Sequence, residues 1–225
     1  MFFELGTSRP RPVELTGDSP HPLIRGKGRI MNLVIESHAP DASSTELSVT
    51  RAAAILDVSA PVLRKGLNGG TIPDLSMGTI ADLAGRHILT KVEMDGNAVP
   101  VLRAGLARQH PDEERRFSGW MIDQPIADTT VALDRWWTAP GRDLIIAAGG
   151  FVVAMGSVVC AVLGDIDESR LVERGDRINY NATLAGVLRS DSQVEITGAN
   201  PWAGLARRVI GSRVLGGGGG NFTRV

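Results

Sequence analysis

The stretch that decides the fold runs Leu47-Ser48-Val49-Thr50-Arg51-Ala52-Ala53-Ala54-Ile55-Leu56-Asp57-Val58-Ser59-Ala60-Pro61-Val62-Leu63-Arg64-Lys65-Gly66-Leu67-Asn68-Gly69-Gly70-Thr71-Ile72-Pro73. Ile55, Leu56, Val58, Val62, Leu63 and Leu67 recur at roughly helical spacing, which predicts two short helices with a common core. The small side chains of Ala52, Ala53 and Ala54 let the second helix approach the first closely. Ser48 and Ser59 are of the type that caps helix N-termini, and Pro61 falls where a missing N–H costs nothing. Gly69-Gly70 ends the second helix. This is the layout of a helix-turn-helix, whose second helix enters the major groove in DNA-binding versions.

The segment resembles the excisionase family of DNA-binding domains, winged relatives of the MerR type. The resemblance is carried by Leu47-Ser48, the small-residue helix Ala52 to Leu56, Val58-Ser59 and the turn Gly70-Thr71-Ile72-Pro73. It extends over residues 47–92, about a fifth of the chain. Two departures stand out. Asp57 occupies a position where members usually carry Gly, and the stretch Asp74 to Leu83 lacks the basic wing expected after the Pro. Arg86-His87 or Lys91 are the available substitutes.

In the second helix Arg64, Lys65 and Asn68 are the polar residues able to point outward. Arg reads guanine bidentately and Asn reads adenine. Thr50 and Ser59, at helix N-termini, are suited to anchoring phosphates, and Arg86 completes the expected DNA-binding set. Residues 44–92 carry Arg51, Arg64, Lys65, Arg86 and Lys91 against Glu46, Asp57, Asp74 and Asp82, a net of about +1. The whole chain nets −1 over 225 residues, so any DNA affinity is expected to be modest or to depend on dimerisation or a partner.

Outward from this stretch the texture changes twice. Residues 1–46 are interrupted by Pro10, Pro12, Pro20, Pro22 and Pro40, with Arg9, Arg11, Arg25, Lys27 and Arg29 among them; they read as a flexible, mildly basic tail. Residues 47–111 are expected to form the helix-turn-helix module, with a short helix at Gly78 to Leu83, a strand at Arg86 to Val92 and a connecting helix around Val99 to Gln109. A boundary is placed near residue 112, and residues 44–111 are expected to fold alone.

Residues 112–225 read as a β-rich domain that holds all four tryptophans. The uncharged run Leu144 to Gly164 is long enough to span a bilayer, but its glycines and β-branched residues favour two buried strands around Gly149-Gly150. Arg177 to Tyr180, Ala182 to Leu188 and Asn221 to Val225 read as strands, and Trp202 to Ile210 as a short helix. The order Arg135-Trp136-Trp137, Gly175-Asp176-Arg177-Ile178 and Gly211-Ser212-Arg213-Val214, followed by a glycine loop, is similar to PUA-like domains, including EVE-type ones. That resemblance implies a small barrel holding a nucleobase or nucleic acid. Trp120, Trp136 and Trp137 are then candidates for base stacking or an interface, with core packing the plainer use.

Several chemistries find no pattern. Cys160 is alone, so neither an internal disulfide nor a cysteine-rich zinc site is expected. His21, His38, His87 and His110 are scattered without metal-ligand spacing, and Gly216 to Gly220 lacks the Lys-Ser/Thr ending of a phosphate loop. Asp165, Asp167 and Glu168 read as an acidic, solvated turn. The expectation is therefore an α+β protein with a helix-turn-helix module before a β-rich, PUA-like small barrel. It is expected to be cytoplasmic, non-enzymatic, without cofactor or metal, and to bind double-stranded DNA. Its C-terminal domain would dimerise, sense a ligand or contact a partner protein. Transcriptional regulator is the broadest such role, beside recombination directionality factor and antitoxin. The alternative is a nucleobase- or RNA-binding PUA-like protein.

Overall fold

The computed structural model describes residues 44–110, 117–135, 137–138, 141–198, 201–215 and 222–223. The expected N-terminal tail (1–43 of it), the boundary near 112, Trp136 and the loop Gly216 to Gly220 lie outside these residues.

The chain opens with three helices, α1 (Val49–Ile55), α2 (Ala60–Asn68) and α3 (Met77–Gly85). Five short strands follow: β1 (Glu93–Met94), β2 (Asn97–Ala98), β3 (Val101–Arg103), β4 (Arg108–Gln109) and β5 (Phe117–Ser118). Next come α4 (Ile126–Asp134), β6 (Trp137–Thr138), α5 (Arg142–Ala148), β7 (Phe151–Met155) and β8 (Val158–Gly164). The chain then runs through β9 (Val172–Arg174), β10 (Arg177–Asn179), β11 (Thr183–Leu188), β12 (Val194–Ile196), α6 (Pro201–Val209) and β13 (Phe222–Thr223).

Six strands form the main sheet in the order β12-β11-β8-β7-β3-β13, antiparallel throughout except for the parallel pair β3–β7. Every residue of β7 and β8 is buried, so these central strands are enclosed on both faces and read as continuous apolar runs. Helix α6 supplies part of that cover. Trp202, Leu205, Ala206 and Val209 recur on its inner face, and the Trp202 indole lies against Gly164, where even a Cβ would collide with the ring.

The architecture is mixed helix and sheet, as expected of an α+β protein, but four local expectations give way. The sheet is open, with β12 and β13 at its edges, and no sheet among the described residues closes into a barrel. Val99 to Gln109 is not a helix: Pro100 confines Val99 to extended backbone, and Val101-Leu102 enter the sheet beside β7. Arg86 to Val92 is no strand, only a bridge in which the Leu89 N–H donates to the Arg213 carbonyl and the Arg213 N–H to the His87 carbonyl, both at 2.8 Å. Leu144 to Ala148 belongs to helix α5, capped by Gly149 at φ 71°, and the hairpin turns instead at Gly156-Ser157. A short apolar run fits a helix and a buried strand equally well; here only Ile145 of α5 is buried, and the helix packs beside β2. The helices α3 and α6 and the strands β10 and β11 lie where the periodicity places them.

Leu47, Leu63, Ile72 and Ile80 belong to the same hydrophobic cluster as Val153, Leu163 and Val214. The described residues on either side of 112 therefore share one core.

Candidate nucleic-acid interface

Helix α1 begins where the Ser48 hydroxyl accepts the Arg51 N–H at 3.3 Å. It buries Ala52 and Ala53, and Leu56 closes its inner face. The chain then turns through Asp57, whose φ of 51° is the left-handed conformation that glycine favours and Asp tolerates. Ser59 stands at the N-cap of α2 without a side-chain cap bond, and Pro61 sits in the first turn.

Helix α2 has two distinct faces. Leu63 and Gly66 are buried, while Pro61, Arg64, Lys65 and Asn68 are exposed at spacings of three and four residues, hence on one side. The expected base-reading trio therefore shares one solvent-facing stripe. Thr50 and Ser59 are also exposed, at the starts of α1 and α2.

The inner face of α2 is clamped to the sheet. Gly156, at φ 63° in the β7–β8 turn, comes so near that a Cβ there would lie 2.9 Å from both the N and Cα of Gly66. The Thr71 hydroxyl lies 3.3 Å from the Gly66 carbonyl and 3.2 Å from that of Met155. The Ile122 N–H donates to the Gly69 carbonyl at 3.2 Å. At the other end, the guanidinium of Arg213 donates to the Leu56 carbonyl at the C-terminus of α1.

The remaining expected site residues are placed differently. Arg86 is half-buried, ion-paired with Asp82 at 2.8 Å and 3.4 Å from the Gly211 carbonyl. Lys91 is paired with Glu93. Neither substitute for the basic wing is an uncommitted cation. Trp120 is 1% exposed, so it packs in the core and presents no ring to a base. Trp137 is half-buried, and its indole N–H donates to the Leu133 carbonyl at 2.6 Å.

The burial of three polar groups has no local mark in the sequence. Asp134 is 4% exposed; burial raises its pKa to about 6, although the Ala182 N–H donates to its carboxylate at 2.8 Å and Arg135 lies near. Burial pushes the neighbouring Tyr180 hydroxyl up to about 12. Arg213 is 3% exposed, and burial lowers its pKa against the opposing field of Asp57. The Cys160 thiol is buried and pushed well above its ordinary value, which makes it a core residue rather than a nucleophile.

Among the described residues no group of three or more His, Cys, Asp or Glu is placed to hold a metal ion, and no helix is long and apolar enough to cross a membrane. The chain matches no protein-family model, and no match was found among curated proteins or solved structures.

Proposed function

We propose that this protein binds double-stranded DNA through α2, as a sequence-specific regulator of the excisionase-like type. The observation that carries this reading is the stripe of Arg64, Lys65 and Asn68 on the exposed side of a helix whose other side is fixed to the sheet. A helix held rigidly along one face, with cations and an amide on the other, suits insertion into a major groove. The left-handed Asp57 supports the same reading, since this is where excisionase-type members usually carry Gly. The β-rich part then serves as the platform that orients α2, and dimerisation through it would raise an otherwise modest affinity.

The test is selection of binding sequences from a random duplex pool, followed by gel-shift titrations over a salt series. Replacing Arg64 and Lys65 by Ala should weaken binding and flatten the dependence of log K on log salt by about one unit per lost phosphate contact. Asn68→Ala should relax the sequence preference more than it lowers affinity. Failure to enrich any sequence, or an unchanged affinity and slope in the double variant, overturns the assignment.

A further inference from the structure

A cavity of about 410 Å³ opens at the elbow between α1 and α2, where the helix pair meets β3 and Val214. Its size is near the lower end for small-molecule pockets, which run from about 300 to 1,000 Å³. The apolar wall consists of Ala53, Ala54, Val58, Val62 and Val214. Three polar residues join it: Ser59, Asp57 and Arg103.

Of the polar residues Arg103 is half-buried while Asp57 and Ser59 are exposed, and none of the three is in an ion pair among the described residues. Arg103 is half-buried and donates one bond, to the Leu215 carbonyl at 2.8 Å, while its Nε is buried with no acceptor. No carboxylate pairs with it among the described residues. A guanidinium partly removed from water ordinarily has an anionic partner, because desolvation without one is costly. The Ser59 hydroxyl makes no cap bond. Asp57, on the same cavity, is in no ion pair with Arg103 or any other described residue, although its field reaches Arg213. The cavity thus presents a cation and an anion that are not paired with each other, in a lining that is otherwise mostly aliphatic.

We propose that this elbow cavity binds a small aliphatic amino acid. The ligand's carboxylate meets Arg103 and Ser59, its ammonium faces Asp57, and its side chain lies on Ala54, Val58 and Val62. A simple fatty acid anion would answer Arg103 but leave Asp57 as a repelling neighbour; a simple amine would do the reverse. Because the walls come from both helices and from the sheet, an occupant fixes the angle at which α2 stands. The binding site itself does not depend on the DNA-binding reading.

Titration calorimetry on the full chain tests this, with L-leucine, L-isoleucine and L-valine as probes and with isovalerate and isoamylamine as single-charge controls. At least one amino acid should bind saturably, each control at least tenfold more weakly. Arg103→Gln should reduce amino-acid binding tenfold or more. Asp57→Asn is the second variant, because Asn also tolerates the left-handed turn and the fold is kept; it should bring amino-acid binding down to the level of isovalerate. Absence of saturable binding by all three amino acids overturns the proposal. So does isovalerate binding as tightly as the best of them, or unaltered binding by Asp57→Asn. If Arg103→Gln does not fold, Asp57→Asn and the controls decide.

Discussion

Arg213 and Leu56 are 157 residues apart, and the buried guanidinium of the first donates to the main-chain carbonyl of the second. The bond falls at the C-terminus of α1, where carbonyls lack helical partners and the helix dipole favours a positive charge. It ties the elbow of the helix pair to a segment that also bonds to His87, Leu89 and, through Val214, Ser157. Arg213→Met keeps most of the aliphatic stem but removes the donor. Leaving the Leu56 carbonyl unsatisfied should cost about 1–3 kcal/mol, partly offset by the desolvation no longer required. The urea midpoint should fall; a variant as stable as the parent would mean that burying the charge costs as much as the cap contributes.

The contact of Gly156 with Gly66 is backbone against backbone, so neither side can rotate away. Gly156→Val introduces a collision with the Gly66 N and Cα and also places a β-branched residue at φ 63°. Stability should fall by roughly 2–4 kcal/mol from strain and overpacking together. Any DNA affinity should fall with it, because α2 must lift from its platform. Thermal melts beside gel shifts read both effects, and a loss of stability with unaltered affinity would uncouple them.

A fragment of residues 44–110 should not fold by itself. It would expose Gly66 where Gly156 of the β7–β8 turn now packs, Leu63 and Ile72 would lose the part of their common core that lies beyond residue 112, and Val101-Leu102 would lose the parallel partner β7. Its circular dichroism should be that of a largely unfolded chain, whereas the full protein melts cooperatively. A cooperative melt of the fragment would show that the helical part holds its own core.

Asp134 gives a signed pH dependence. Its folded pKa of about 6 lies above the ordinary 3.8, so the folded state retains a proton that the unfolded chain releases. Its contribution is fully present below about pH 4 and is lost as pH rises through about 6, a difference of up to roughly 3 kcal/mol. Asp74, Asp123 and Asp167, held low by hydrogen bonds from Ser and Thr neighbours, act in the opposite direction. Comparison with Asp134→Asn isolates the effect. The difference between variant and parent in urea midpoint should grow in favour of Asn between pH 4 and pH 6. A constant difference across that range would place Asp134 at an ordinary pKa.

The sequence by itself determined what is local. Ser48, Ser59, Pro61 and Gly69 mark helix ends by satisfying or omitting backbone hydrogen bonds within a few residues, so both helices and the outward trio Arg64, Lys65 and Asn68 were legible. The tertiary structure decided what depends on distant partners. Leu144 to Gly164 is an apolar run that suits helix and strand alike, and only packing makes its first part a helix and the rest a hairpin. Within Val99 to Gln109, Val101–Arg103 becomes strand because β7 offers a parallel neighbour, and Arg108–Gln109 because β5 offers an antiparallel one. The pairing of Arg213 with Leu56, the half-burial of Arg103 without an ion-pair partner among the described residues, and the burial of Asp134 leave no mark on nearby sequence. Each arises from burial between segments far apart in the chain, and periodicity reports a residue's side of its own element, not what the fold brings against it.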